Sequence, residues 1–411
     1  MSMWEHGDTN LDEYSEIIRK NANYGVTCVG SGGEVRPLQS DSCEGHWYGW
    51  YPIGISLLSG PLVLAIIGIL RTATPIFSSI HSSNAVIEGF LRADWDAAHA
   101  LIEMEVASFL LATTTIVVYF IARRYLNQKR SFLLSAFFAI GTSAYSMAGR
   151  GLWGHSPSML LISIAVYLLV TAEDQRTRAA WAALPVALSY TVRPTDGLFV
   201  MICTCFVALH HRSQLVRYVL AAAPIAAAFF IYNITTYHSL LPSYYKLHPS
   251  FGQPGYAADF GNALAGNLLS PSRGLLIYSP VFLFAIWNMF RNHWKTAIST
   301  PLAILCLLHW VVISMFVEFW WAGHSYGPRL FTDLAPVFTF FLIPWFERWD
   351  TLSRPIRVAF VALALVSAAM HLPGGWSGSV YRWNTEPVNI DQHPGRNWDW
   401  GDPQFLRGLH L

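Results

Sequence analysis

What most constrains this chain is a succession of apolar runs, each close to the length that crosses hydrocarbon. A bilayer core about 30 Å thick takes roughly 17–25 residues of helix. Candidate spans fall at 101–122, 132–148, 158–173, 179–193, 197–210, 215–232, 274–290, 299–317, 330–346 and 356–372, several of them shorter than a full crossing. Composition agrees: 53% of residues are hydrophobic and 12% charged, against about 25% charged in a soluble domain. The expectation is an all-α, polytopic helical membrane protein with about ten to eleven membrane helices. Formal net charge is +1, and no basic block suggests nucleic acid.

The connections divide into two kinds. Those at 122–130, 173–178, 210–217, 291–295 and 347–357 are short and basic, which by the positive-inside rule assigns them to the cytoplasm. Counting spans between them puts every other loop outside without conflict. The stretch 51–70 is apolar enough to cross, or it is re-entrant and leaves 1–100 as one outer region. Cys28 and Cys43 share a polar loop, and could pair if it faces an oxidising compartment.

Given that topology, the irregular and charged motifs collect on the outer face. They are "GDTNLDEY" (7–14), "GHWYGWYPIG" (45–54), "GRGLWGHSP" (149–157), "YTVRPTDG" (190–197), "YNITTYHSLLPSYYKLH" (232–248), "SPSRGLLIYSP" (270–280) and "WWAGHSYGPRLFTD" (320–333). Arg193, Arg273 and Arg329 each lie beside Pro or Gly at the outer end of an apolar run. Guanidinium is always charged and grips phosphate in a fork, so these three are candidates for a lipid-linked phosphate. The plainer reading is snorkelling, or pairing with Asp196 and Asp333. Asp8, Asp12 and Glu13 offer carboxylates for proton transfer or cation ligation, with a solvated acidic loop as the alternative. Glu103 is either interfacial or turned into the same cavity. His46, His155 and His324 could orient a phosphate or an acceptor. The outer tryptophans and tyrosines fit an aromatic belt or sugar stacking. No nucleotide-binding or zinc motif is present.

In order along the chain, "GDTNLDEY", "YPIGISLLSGPL", "IEMEVASFL", "LWGHSPSML", "RPTDG", "YNITTYHSLLPSYY", "SRGLLIYSP" and "WWAGHSYGPRLFTDLAP" together resemble the GT-C superfamily of integral-membrane glycosyltransferases. The likeness is to bacterial relatives of protein O-mannosyltransferases and aminoarabinose transferases. The resemblance implies a large first outer loop at 1–100 with a re-entrant helix at 51–70, a transmembrane domain at 101–372 and an outer C-terminal tail at 373–411. It implies transfer of a sugar from a polyprenyl-phosphate carrier to an acceptor hydroxyl on a glycan, lipid or protein, at the extracytoplasmic face of a bacterial inner membrane. Asp8, or failing it Asp12 with Glu13 beside it, would be the base; Arg329, Arg193 and Arg273 would neutralise the departing phosphate; His324 and Tyr326 would line the pocket. No cofactor is required by the resemblance; a divalent cation, Mg or Mn, could be held by such carboxylates. In that family the catalytic aspartate follows the first membrane helix, which would lie before Met1, so the base could lie upstream as well. The competing classes are a transporter or flippase of lipid-linked solutes, for which mid-membrane polar residues and internal repeats are expected, and a non-catalytic membrane protein of the same fold.

Overall fold

The computed structural model describes residues 2–20, 25–37, 43–77, 79–92, 94–242, 256–291 and 296–408. The chain is mostly helical. Among the described residues, five segments are long and apolar enough to cross a membrane: Gly54–Ala73, Ala97–Arg123, Arg212–Tyr237, Arg329–Glu347 and Arg354–Trp376. Three shorter apolar helices accompany them, His155–Thr171, Pro194–His210 and Ser299–Ser314. These lengths are consistent with an integral membrane protein, but they do not supply ten to eleven full crossings. The expected span 274–290 is divided at Pro280 into Leu275–Tyr278 and Phe282–Arg291, and the helix within 179–193 has only ten residues, Ala183–Val192.

The helices that position the site are α1 (Gly54–Ala73), α2 (Trp95–Arg123), α3 (Gln128–Ile140), α4 (His155–Thr171), α5 (Ala183–Val192), α6 (Gly197–His210), α7 (Leu215–Tyr237), α8 (Ser299–Ser314) and α9 (Arg354–Trp376). Side chains cap two of them: Asp94 accepts from the Ala97 N–H at the start of α2, and Asn127 from the Arg130 N–H at the start of α3. Such caps satisfy donors that the first helical turn leaves unpaired. The segment Arg329–Glu347 runs through the centre, with 78% of its apolar window buried. Phe331, Leu334, Phe338 and Phe341 there pack in one core with Phe199, Phe282 and Leu302. By contrast α7 and α9 present large apolar side chains outward; Leu220 and Leu365 are each 66% exposed. A soluble surface rarely carries so continuous an apolar face.

Two ends of this bundle can be told apart. Arg124 pairs with Asp174 at 2.7 Å, and Arg130 pairs with Asp350, so three basic connections meet at one end. Along α2, Glu103 lies about 30 Å from Arg123 at a rise of 1.5 Å per residue.

The first hundred residues are not purely helical, contrary to the all-α expectation. Val26–Val29 (β1), Val35–Pro37 (β2) and His46–Gly49 (β3) form an antiparallel sheet in the order β2-β1-β3. The run Val26-Thr27-Cys28-Val29, three of its four residues β-branched, favours a strand and is buried throughout, and Cys28 is disulfide-bonded to Cys43. At the other end of the chain, the stretch after 373 is no loose tail. Trp383 is fully buried and clusters with Trp320, Trp321 and Ile390.

Candidate functional site

Arg193 owes its position to the residue after it. Proline disfavours the helical region for its predecessor, and Arg193 is extended (φ −143°, ψ 104°) just beyond α5. Its aliphatic stem lies against Gly154, where a Cβ would sit 3.1 Å from Arg193 Cγ. Gly154 precedes His155, the first residue of α4. The "LWGHSP" and "TVRPTDG" motifs therefore meet side by side.

Arg329 comes from a third motif. Ala322 and Gly323 both adopt left-handed backbone (φ 59° and 64°) and reverse the chain after the two tryptophans. That turn aims the Ala322 carbonyl at Arg329, whose Nη1 donates to it at 3.0 Å. The guanidinium lies over the Trp153 ring, 3.8 Å from its centroid, a cation–π arrangement. His309 on α8 bonds the Leu330 carbonyl at 2.8 Å and steadies the same stretch.

Asp333, fully buried one turn after Arg329, ties the motifs together. Its Oδ1 lies 2.9 Å from His155 Nδ1, and its Oδ2 lies 2.6 Å from Arg193 Nη1, an ion pair without ideal hydrogen-bond alignment. Asp333 beside Nδ1 favours the tautomer in which Nδ1–H donates to it and Nε2 accepts from Arg329 Nε at 3.3 Å, with Arg193 Nη1 also against Nδ1. Arg193 also contacts the ring, 3.1 Å from Nε2. Two guanidiniums would repel; the buried carboxylate and the imidazole between them make the pairing tolerable. Removing one partner of such a buried pair costs about 3–5 kcal/mol. Just beneath, Asp196 accepts a hydrogen bond of 2.5 Å from Ser158.

These groups open onto a cavity of about 370 Å³ lined by Glu103, Trp153, His155, Arg193, Thr195 and Arg329. Tyr51, Pro52 and Ile55 close it from the start of α1, and Ile313, Phe316, Phe319 and Leu330 form an apolar flank. The Thr195 hydroxyl is buried with no hydrogen-bond partner among the described residues. A buried donor of that kind calls for an acceptor.

Of the residues the sequence singled out, Arg193, Arg329, His155 and Glu103 line this cavity; the other expected catalytic and phosphate-binding residues do not. Arg273 is 2% exposed and spends all five N–H donors on the protein. Nε bonds the Trp321 carbonyl, Nη1 the Ser272 carbonyl and Gln404, and Nη2 the Gly323 carbonyl and Asn384. Guanidinium has five donors and no more, so Arg273 has none left for phosphate, which corrects the expectation for it. Burial pushes it down to about 10, still charged at neutral pH. Tyr326 is buried beside Tyr278 and donates to the Met370 carbonyl at 2.5 Å, and His324 faces Asn389 and Asp391; neither lines the cavity. Asp8, Asp12 and Glu13 belong with the small sheet. Asp12 accepts from the Trp47 N–H at 2.8 Å and lies 2.6 Å from His46 Nδ1, Asn10 donates to Asp8 at 3.3 Å, and Glu13 is exposed. Part of the 232–248 and 291–295 motifs, 243–248 and 292–295, lies outside the described residues.

Asp333 and His155 were visible in sequence only as a neighbour for an arginine and as one histidine among several. Trp153 had no separate signal beyond its motif. Among the described residues no group of three or more His, Cys, Asp or Glu side chains is arranged to hold a metal ion. The cavity offers one carboxylate and two guanidiniums, a set that repels rather than ligates a divalent cation. No protein-family model, no curated protein and no solved structure matches this chain. The resemblance to the GT-C enzymes therefore rests on the motifs alone.

Proposed function

We propose that this chain is a membrane glycosyltransferase of the GT-C type, which takes a sugar from a polyprenyl-phosphate carrier and delivers it to an acceptor hydroxyl. The observation that carries the reading is the pair Arg193 and Arg329, drawn from separate motifs into one cavity with an apolar flank. A lipid phosphate combines a diffuse anion with hydrocarbon, and forked cations beside aliphatic and aromatic walls suit both parts. The buried Thr195 hydroxyl adds a neutral donor. As the sugar–phosphate bond breaks, negative charge grows on phosphate, so fixed cations there favour the transition state over the bound donor.

The outer side of a bacterial inner membrane is the proposed location. The cavity sits at the end of α2 remote from the clustered basic connections, and the Cys28–Cys43 disulfide suits an oxidising compartment. Ten to eleven crossings, which would need the three shorter apolar helices and also Gln128–Ile140, Ala183–Val192 and Phe282–Arg291 to cross, belong to this same reading.

Binding of undecaprenyl phosphate to the purified protein in detergent tests it. Arg329→Ala is expected to weaken binding by about 10–100-fold, the worth of one or two charge-assisted hydrogen bonds, while the protein remains folded. Binding that ignores Arg329→Ala and Arg193→Lys alike removes the basis for the reading. Net movement of the lipid across sealed vesicles without sugar transfer would favour a flippase instead.

A further inference from the structure

If the cavity holds a donor phosphate, something in it must also accept the proton of the incoming hydroxyl. We propose that Glu103 is that general base. The inference rests on the transferase reading above and replaces the role that the sequence motifs suggested for Asp8 or Asp12.

The argument is one of position and availability. The acidic and imidazole side chains lining the cavity are Glu103 and His155. His155 is committed: Nδ1 faces Asp333, Nε2 faces Arg329, and Arg193 presses on the ring. An imidazole between two guanidiniums is poorly placed to gain a positive charge. Asp333 and Asp196 are buried beneath and do not line the space. Asp8, Asp12 and Glu13 are absent from the lining, and both Asp12 oxygens are already engaged. Glu103 projects from α2 into the cavity, and its carboxylate has no hydrogen-bond or ion-pair partner among the described residues. A carboxylate that lines the cavity without being tied up by another side chain's hydrogen bond, with His99 as its charged neighbour, is equipped to take a proton from a hydroxyl bound there.

The step balances without any further reactant. The acceptor O–H gives its proton to the Glu103 carboxylate, and the acceptor oxygen forms a bond to the anomeric carbon of the sugar. The bond from that carbon to the phosphate oxygen breaks, and its electron pair leaves with polyprenyl phosphate beside Arg193 and Arg329. Release of the proton from Glu103 to solvent then restores the carboxylate. Glu103 thereby becomes a catalytic residue, whereas Asp333 and Trp153 are positioning residues that hold the cations.

The experiment compares wild type with Glu103→Gln, Glu103→Ala, Asp8→Asn and Asp12→Asn in membranes. The probes are radiolabelled undecaprenyl-phosphate hexoses and pentoses with the acceptors native to those membranes; undecaprenyl phosphate binding is measured in parallel. Glu103→Gln is expected to lower transfer by about 10²–10⁴-fold, the usual worth of a general base, with lipid-phosphate binding unchanged within threefold. Azide needs no deprotonation, so it is expected to restore donor cleavage in Glu103→Ala and yield a glycosyl azide, which no merely structural role would produce. Transfer by Glu103→Gln within threefold of wild type overturns the proposal, as does loss of transfer without azide rescue. Arg-dependent lipid binding with no transfer by wild type overturns it while leaving the phosphate site standing. Lipid binding indifferent to both arginines removes the underlying reading, and the Glu103 role with it.

Discussion

Three arginines look interchangeable at the residue scale: each follows or precedes Pro or Gly at the edge of an apolar run. Their surroundings make them different. Arg273 is enclosed by acceptors from the Trp321–Gly323 turn and from Asn384 and Gln404, all distant along the chain. Lysine has three donors on a point charge and cannot reproduce that fork. Arg273→Lys is therefore expected to cost at least about 3 kcal/mol, given roughly 1–3 kcal/mol for each buried polar group left unpaired; thermal unfolding in detergent reads it. Ala322 makes the converse case. Left-handed backbone costs a non-glycine residue about 1–2 kcal/mol, so Ala322→Gly should raise the melting temperature by a few degrees while Arg329 keeps its carbonyl partner. A fall in melting temperature would mean that the methyl group packs for more than the strain costs.

The C-terminal cap behaves, at the scale of elements, as a unit held by its own charges. Arg396 stacks over Trp383, 4.2 Å from the ring centroid, and binds the Val388 and Glu386 carbonyls and Asp402. Burial works to raise the Asp402 carboxyl, but hydrogen bonds from Arg407 and Arg396 together outweigh it and hold the group below its ordinary value. The sign follows: a depressed carboxylate contributes stability above its unfolded value, near pH 4, and loses it as pH falls through the lower folded value. Hydrogen exchange at 378–408 should therefore stay slow down to about pH 4 and quicken below it. Asp402→Asn should quicken exchange there already at neutral pH; unchanged protection would show that Trp383 packing suffices. This order was hard to read in sequence, because "GGWSGSVYRW" has neither helical nor strand periodicity. Its partners, Trp320 and Trp321, lie in another motif.

At the scale of the whole molecule, two facts bear on sidedness: basic connections meet at one end, and a disulfide lies in the first hundred residues. In a background lacking Cys203, Cys205 and Cys306, cysteines introduced at Gln175 and Asp399 should react with an impermeant maleimide from opposite faces of the membrane. Labelling from one face alone would require a different count of crossings. Opening the Cys28–Cys43 bond, whose partners are 15 residues apart, should destabilise the small three-stranded sheet by up to about 3 kcal/mol on the chain-entropy model. Urea unfolding followed by the fluorescence of Trp47 and Trp50 would measure it.

By itself the sequence determined that this chain is helical, apolar beyond what water tolerates and built of runs near membrane length, because those properties are local and summed over many residues. It also marked Arg193 and Arg329 as unusual, because a charge in an apolar context is conspicuous wherever the chain folds. Which arginine reaches a cavity and which is sealed in the interior was a tertiary matter. So were the pairing of Asp333 with His155 and Arg193, and the placement of Glu103 in the cavity lining while Asp8 and Asp12 lie with the small sheet. Each depends on side chains that are far apart in the chain and meet only when the helices pack, and that convergence leaves no periodic trace in the sequence.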